Sequence, residues 1–358
     1  MVDIPIVKAS PKKLKKKPEP GAQLGFGKIF TDYLFLMDYK KDEGWKNPRI
    51  EPYKPFALDP AALVLHYGQE VFEGLKAYRW ANGDIYLFRP RMNYERMNRS
   101  AKRLCLPEID VDFAIEATRQ LVRLEKDWVP SAPGASLYIR PNMIATEPAL
   151  GVQVTKEVLF YIMVGPVGAY YPQGFNPVDI YLEEKYIRAA RGGLGEAKTL
   201  ANYAASLLAQ EEAHEKGFTQ VLWLDAIERK YLEEVGTSNI FLYTEDEVVT
   251  PPLGGTILPG ITRNSVLHIC RNWEMKVSER MIGLDEVISG LESGRVKEIF
   301  AAGTAAVISP VGKVSFKGKN YPINQGKVGP LAQKLYDTIM GIQYGKIKDP
   351  YGWMMKVT

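Results

Sequence analysis

Residues 191–243, RGGLGEAKTLANYAASLLAQEEAHEKGFTQVLWLDAIERKYLEEVGTSNIFLY, constrain this chain more than any other stretch. A glycine-rich approach delivers one lysine, Lys198. The run NYAASLLAQEEAHEKG reads as one helix and ends at Gly217, a residue suited to a left-handed helix terminus. Two short apolar strands, QVLWLD and YLEEV, then flank a turn. The second strand carries Glu234 into Val-Gly-Thr-Ser-Asn. Strand neighbours face opposite sides, so Glu233 is expected in solvent when Glu234 faces inward. The segment also comes close to the phosphate-loop pattern G-x-x-x-x-G-K-[ST]. The residue before the lysine should then be glycine, but it is Ala197, and Glu196 stands where anionic phosphates would lie. A nucleotide-hydrolysing loop is therefore rejected.

The rest of the chain fits this mixed pattern. VLHYGQEVFEGLKAYRW reads as strand, turn and strand, and DIYLFR as another strand. MNYERMNRSAKRL and FAIEATRQLVRLEKDW carry helical periodicity, whereas SLYIRPNMIA and VLFYIMVGPV are extended. VDIYL, GTSNIFLY and EVVT extend a second group of strands. TRNSVLHICRNW and GLDEVISGLESG are helices, and EIFAAGTAAVISPV is two strands around a Gly-Thr turn. Paired strands with segregated helices indicate an α+β fold, not a doubly wound sheet. GPVGAYYPQGFNP concentrates Gly and Pro between two apolar strands and marks a linker. The expected division is a basic tail over 1–20, a smaller N-terminal α/β domain over 21–165, a linker over 166–176 and a larger C-terminal domain over 177–358.

Composition narrows the functional classes. With 358 residues, 46% apolar, the chain suits two domains better than one. The balance of 46 Lys+Arg against 42 Asp+Glu is too even to indicate a nucleic-acid binder. No apolar run reaches bilayer length, so no membrane partner is expected. Two cysteines form no disulfide framework and suit a reducing, cytoplasmic setting. Three scattered histidines lack ligand spacing, and no metal is expected. The first twenty residues carry six lysines but no Arg and several prolines. They fit neither a transit peptide nor a secretory signal, and read as a solvated, partly disordered tail.

A lysine amine that condenses with an aldehyde, followed downstream by a carboxylate that keeps a ring nitrogen protonated, is the pair a pyridoxal phosphate site requires. Here the sequence resembles the branched-chain amino acid aminotransferases, pyridoxal phosphate enzymes of fold type IV. The resemblance runs from GFGKIFTDYLF through LHYGQEVFEGLKAYR, LFRPRMNYERMNRSAKRLCLP, SLYIRPNMIA and PVGAYYPQG. It continues through EVGTSN, TILPGITRNSV, AAGTAAVISPV and IQYGKIKDPYGWM. It implies a two-domain fold whose C-terminal domain has a pseudo-barrel β core. It also implies a homodimer, with pyridoxal 5'-phosphate as cofactor and branched-chain amino acids, glutamate and 2-oxo acids as small-molecule substrates.

The same resemblance assigns roles by position. Lys198 is the covalent and proton-moving amine, and Glu234 the partner of the ring nitrogen. Arg96, Arg188, Thr304 and the amides of Ile261 and Thr262 at a helix start surround the phosphate. Tyr203 meets the cofactor hydroxyl. Thr237, Ser238 and Ala305 match the groups that take the substrate α-carboxylate. Phe26, Tyr67, Phe72 and Tyr170 match the walls of the side-chain pocket. Tyr138 and Arg140, two apart on one strand face, join them there, Arg140 for the carboxylate of a dicarboxylic substrate. In the family this strand is expected from the other subunit.

Two departures stand out. Leu200-Ala201 replace the Gly-Gly or Ala-Gly usual before Asn-Tyr. Ala306 and Ser309 stand where human-type members carry a redox C-x-x-C. The reading is L-branched-chain transamination with 2-oxoglutarate. A D-amino acid aminotransferase or an aminodeoxychorismate lyase of the same fold type is the first alternative. A lysine-tailed nucleic-acid-binding or scaffolding protein is the remote one.

Overall fold

The computed structural model describes residues 4–19, 21–168, 170 and 174–358. The chain forms two compact units. The first comprises 1–172, 197–200 and 341–358; the second, 173–196 and 201–340.

The N-terminal unit is built on one sheet. Its strands lie in the order Met354–Lys356, Ile85–Phe88, Leu75–Arg79, Ser136–Ala145, Glu157–Val167, Tyr33–Lys40 and Gly44–Pro52, with Glu70–Phe72 also paired to Ser136–Ala145. Burial alternates along Glu157–Val167, as period-two chemistry demands. One face, including Leu75, Leu137, Ile139 and Ile162, packs against helices Pro90–Arg103 and Val111–Leu124 through Tyr94, Met97, Ala117 and Leu121. Asp110 caps the second helix by accepting from the Phe113 amide at 2.7 Å. The opposite face carries the candidate site.

The second unit holds a closed six-stranded barrel. Leu232–Val235, Gln220–Leu224, Val178–Leu182, Val307–Phe316, Val296–Gly303 and Ser238–Thr244 follow one another. The ring closes where Glu234 pairs with Asn239. Closure leaves no open edge along these six strands, and the expected barrel core of a two-domain α+β fold is present.

Several expectations need correcting. The stretch at VLHY is a helical turn, Leu63–Tyr67, not a strand. Gly68 ends it at φ +61° and returns its amide to the Val64 carbonyl at 3.1 Å, so the glycine converts an apolar run into a capped turn. The helix expected through 202–217 is interrupted before Leu207–Glu215. There the Ser206 hydroxyl bonds back to the Tyr203 carbonyl at 2.8 Å, a local bond that competes with helix continuation. Residues 177–358 are not one unit. Met354–Lys356 pairs with the edge strand Ile85–Phe88, and Thr199 bridges to Val71, so both segments join the first unit. With these returned to it, the N-terminal unit holds more of the chain than the barrel unit. Of the expected linker over 166–176, residues 166 and 167 complete a strand, while 169 and 171–173 lie outside the described residues.

The basic tail is docked at several points, although most of its side chains remain exposed. Ile4 is buried in the core. The Val7 amide and the Pro5 carbonyl bond to the two sides of Ile50, each at 2.9 Å, which covers an otherwise open sheet edge. Further on, the Lys15 amide donates to Asp32 at 2.7 Å and its ammonium to the Thr31 carbonyl at 2.7 Å. Beside this contact lies Glu125, which accepts from the Tyr33 amide at 2.5 Å. Burial pushes the Glu125 carboxyl up to about 7. The Tyr33 amide and Thr31 hydroxyl oppose this, and the Asp32 charge adds to it.

The sign of the pH effect follows. The folded state holds this proton more tightly than the unfolded chain does. Ionisation therefore costs stability progressively as pH rises from the ordinary glutamate range through about 7. Glu125→Gln keeps the acceptor and removes the charge. We expect it to raise stability at pH 8 by about 1–3 kcal/mol and to change little at pH 5. Thermal melts at both values check this; an equal shift at both would show that Glu125 does not titrate in this window.

Candidate active site

In the N-terminal unit the short segment Ala197–Leu200 lies along Glu70–Phe72. The Phe72 amide donates to the Lys198 carbonyl at 3.0 Å, and the Lys198 amide donates to the Ser100 hydroxyl at 2.9 Å. The Thr199 hydroxyl donates to the Glu70 carbonyl at 2.6 Å. Lys198 is thus fixed through its main chain while its amine projects over the Phe72 ring, 4.9 Å from the centroid. The Arg140 guanidinium lies 4.6 Å from the same centroid. Arg140 donates to the Tyr138 hydroxyl at 2.9 Å. Phe26 meets Tyr138 and Tyr170 edge-on, at 5.0 and 5.1 Å between centroids.

Lys198, Phe72, Arg140, Tyr138, Phe26 and Tyr170 therefore form one continuous cluster of a single chain. This corrects the expectation that the Tyr138–Arg140 strand is supplied by another subunit. The strand pairs with Leu75–Arg79 and Glu70–Phe72 of its own unit, and the second of these binds the lysine segment. Tyr67 is half exposed and stands apart, its hydroxyl donating to the Leu150 carbonyl.

Arg96 is brought to Glu73. Two guanidinium N–H groups meet the two carboxylate oxygens at 2.7 and 2.8 Å, with both side chains buried. Such a bidentate pair fixes the plane of the guanidinium. Burial alone would raise the Glu73 pKa. The Arg96 charge and hydrogen bonds, with Lys198 and Asn93, outweigh it and hold the carboxyl below the usual range. Glu73 was missed in sequence, although it follows Phe72 directly within the quoted FEG. Lys76 was also missed. It is buried opposite Tyr138, and burial pushes its amine down to about 8.

In the barrel unit, Glu234 sits where the ring closes. Its carboxylate accepts from Asn239 Nδ2 at 2.7 Å and pairs with Arg188 Nη2 at 2.6 Å, all three side chains being buried. Arg188 also donates to the carbonyls of Gly195, at 3.1 Å, and Thr256. These contacts tie Arg188 to Glu234 and to the two carbonyls. Glu233 is buried as well, not in solvent, because both faces of this strand are covered; burial raises its carboxyl.

Asn239, also missed, is the last residue of the EVGTSN motif and links two parts of the site. It donates to the Leu258 carbonyl at 2.9 Å. Its Oδ1 lies only 2.0 Å from where a Cβ on Gly260 would stand, so the approach to the next helix requires glycine there. That helix, Ile261–Asn272, has no side-chain cap and no acidic residue in its first turn. The amides of Ile261 and Thr262, both on buried residues, therefore open a backbone cradle suited to an anion.

Register brings the remaining residues together. Val235 pairs with Ser238 around a turn made by buried Gly236 and exposed Thr237. Gly303 pairs with Val307 around Thr304, Ala305 and Ala306. Asn239 pairs with Ala302, which sets the two turns side by side at one end of the barrel. A Cβ on Gly303 would approach the Ser238 hydroxyl to 2.8 Å. Tyr203 is half-buried within the same unit and supplies its carbonyl to Ser206. The buried carboxylate, the uncapped helix start and the paired turns fit a phosphorylated, nitrogen-containing ring. Among the described residues, no cluster of His, Cys, Asp and Glu is suited to a metal ion.

Comparisons with known proteins agree with this geometry. Residues 70–314 match the family model for amino-transferase class IV. The chain is 54% identical over 343 residues to branched-chain-amino-acid aminotransferase 2 of Bacillus subtilis, covering 96% of this chain and 94% of the relative. It is 52% identical over 344 residues to branched-chain-amino-acid transaminase 1 of the same organism, covering 96% of each. Among solved structures it superposes on the Escherichia coli branched-chain amino acid aminotransferase with a TM-score of 0.75 at 25% identity, covering 91% of this chain and 99% of that one. The branched-chain amino acid aminotransferase from Thermobaculum terrenum in its PLP form also gives 0.75 at 25% identity, covering 92% and 100%. With relatives near half identity over almost the whole chain, this protein belongs to the class IV aminotransferases and, within them, to the branched-chain amino acid aminotransferases.

Proposed function

We propose that the protein transfers the amino group of L-leucine, L-isoleucine and L-valine to 2-oxoglutarate, with pyridoxal 5'-phosphate as carrier. The observation that carries this reading is the Phe72 ring with the Lys198 amine and the Arg140 guanidinium both against it. A nucleophilic amine and a carboxylate-binding group thereby share one aromatic wall. When bound, the carrier supplies an aldehyde for the amine and a ring that withdraws electrons from the substrate α-carbon.

The chain's own residues do the rest. Lys198 Nζ would hold the carrier through its aldehyde, and the same amine would move the proton at the substrate α-carbon. Glu234, oriented by Arg188 and Asn239, holds the ring nitrogen protonated. The amides of Ile261 and Thr262, the Thr304 hydroxyl and Arg96 hold the phosphate. Tyr203 takes the ring hydroxyl. Thr237, Ser238 and Ala305 orient the α-carboxylate, while Phe26, Phe72, Tyr138 and Tyr170 exclude water around an apolar side chain. Tyr67 lies outside that cluster, and we assign it the rim.

The test is direct. Protein supplied with the carrier should be yellow and should convert L-leucine with 2-oxoglutarate to glutamate. Turnover of D-leucine alone, or of no branched-chain substrate, would reject the reading. We further propose a cytoplasmic homodimer. Its support is the exposed apolar group Leu65, Leu150 and Val152 on the N-terminal unit, the last 84% exposed; light scattering checks the mass. No helix among the described residues is long and apolar enough to cross a membrane, and Cys105 and Cys270 are both free thiols.

Arg140→Met should raise KM for 2-oxoglutarate by about 10- to 100-fold, the scale of a lost charge-assisted contact, while KM for leucine changes little. Because Lys198 and Arg140 flank one ring of one chain, mixing Arg140→Met with Lys198→Ala protein should restore no normal site. Recovered activity after verified subunit exchange would show that the two groups act across subunits.

A further inference from the structure

One pocket must receive an apolar side chain in one half-reaction and a carboxylate in the other. A guanidinium facing an apolar group in a closed site loses water without gaining a partner, a costly arrangement unless a counter-charge lies close. The structure supplies one. Glu70 and Phe72 point to the same face of their strand, and Phe72 is paired with Asn142. Asn142 and Arg140 are two apart, so Glu70, Asn142 and Arg140 share that face. Asn142 Nδ2 donates to Glu70 Oε1 at 3.3 Å and to the Tyr161 hydroxyl at 2.6 Å. The main chain of Glu70 is tied to the lysine segment by Thr199. The Glu70 carboxylate is half-buried. Burial raises its pKa, and the Arg140 charge works in the opposite direction.

We propose that Glu70 is a specificity-determining residue, an internal counter-ion that neutralises Arg140 while an apolar side chain is bound and that a substrate carboxylate replaces at Arg140 in the other half-reaction. Asn142 and Tyr161 hold Glu70 on the sheet face, so the carboxylate stays near the guanidinium without filling the pocket. The arrangement penalises neither substrate class fully. It weakens the dicarboxylate, which must compete with Glu70, and it favours leucine, which meets a neutral pair. No group is transferred in this exchange; only the partner of the guanidinium changes.

The inference rests on the reading of Arg140 given above, and the experiment separates the two. Enzyme carrying its cofactor is assayed in each half-reaction as wild type, Glu70→Gln, Glu70→Asp, Arg140→Met and the Glu70→Gln/Arg140→Met double variant. Glu70→Gln should lower KM for 2-oxoglutarate and raise KM for leucine, each by about fivefold, the scale of a partly exposed ion pair. Glu70→Asp, which retains the charge, should lie nearer wild type. Both shifts should vanish in the Arg140→Met background. Shifts of the two KM values in the same direction, or no shift beyond about twofold, would overturn the proposal, as would shifts that persist without Arg140. If Arg140→Met fails to weaken 2-oxoglutarate selectively, the reading of Arg140 falls and the proposal with it. If Arg140→Met is selective and Glu70→Gln is not, the counter-ion role alone is rejected.

Discussion

Lys198→Ala is expected to abolish turnover, by a factor on the order of 10⁴ or more, in a protein that remains folded. The reason for the separation is geometric. The segment is held by the Lys198 carbonyl, which accepts from Phe72, and by the Lys198 amide, which donates to Ser100. Alanine keeps both bonds. What disappears is the amine over the Phe72 ring, and with it both the covalent attachment and the proton carrier. The measurements are single-turnover kinetics with leucine, the visible absorbance of covalently held cofactor, and a thermal melt. A folded variant that keeps that absorbance and several per cent of activity would remove Lys198 from the role.

Glu234→Gln should reduce kcat on the order of 10²-fold or more, by comparison with the removal of a preorganised electrostatic group. The change keeps shape and the oxygen that accepts from Asn239. It removes the charge that pairs with Arg188 and that favours a protonated ring nitrogen. Cofactor should remain bound, because the phosphate contacts proposed for Ile261, Thr262 and Thr304 are untouched. Glu233→Gln is the register control. Its side chain leaves the strand on the other face, so it should leave kcat nearly unchanged. A damaging Glu233→Gln beside a harmless Glu234→Gln would move the assignment by one residue.

Much of the fold was legible because local signals agreed with one another. Helices Pro90–Arg103, Val111–Leu124 and Ile261–Asn272 and the long strands Ser136–Ala145 and Glu157–Val167 fall where periodicity places them. VLHY was misread because an apolar run of that length is compatible with strand and helix alike, and the decision lay with the φ of Gly68. The tail was misread because lysine-rich composition reports solvation, whereas docking depends on Ile4 and on an open sheet edge far along the chain. Of the site, the residue types and their spacing were visible. Their partners were not: Glu73 for Arg96, Asn239 for Glu234, Ser100 for the Lys198 main chain.

The sequence by itself determined the chemistry available to this protein. It provided one lysine behind a glycine-rich approach, one glutamate before Val-Gly-Thr, and the aromatic and arginine positions around them, because side-chain chemistry is local. Tertiary structure decided which groups meet. Barrel closure set Glu234 beside Asn239 and Arg188. The pairing of Thr199 with Val71 brought Lys198 into the N-terminal unit, against the same ring as Arg140 and near Glu70. Such contacts reach across the chain, Thr199 and Glu70 being 129 positions apart, and they are fixed by backbone hydrogen bonding and strand register, which short-range sequence patterns do not encode.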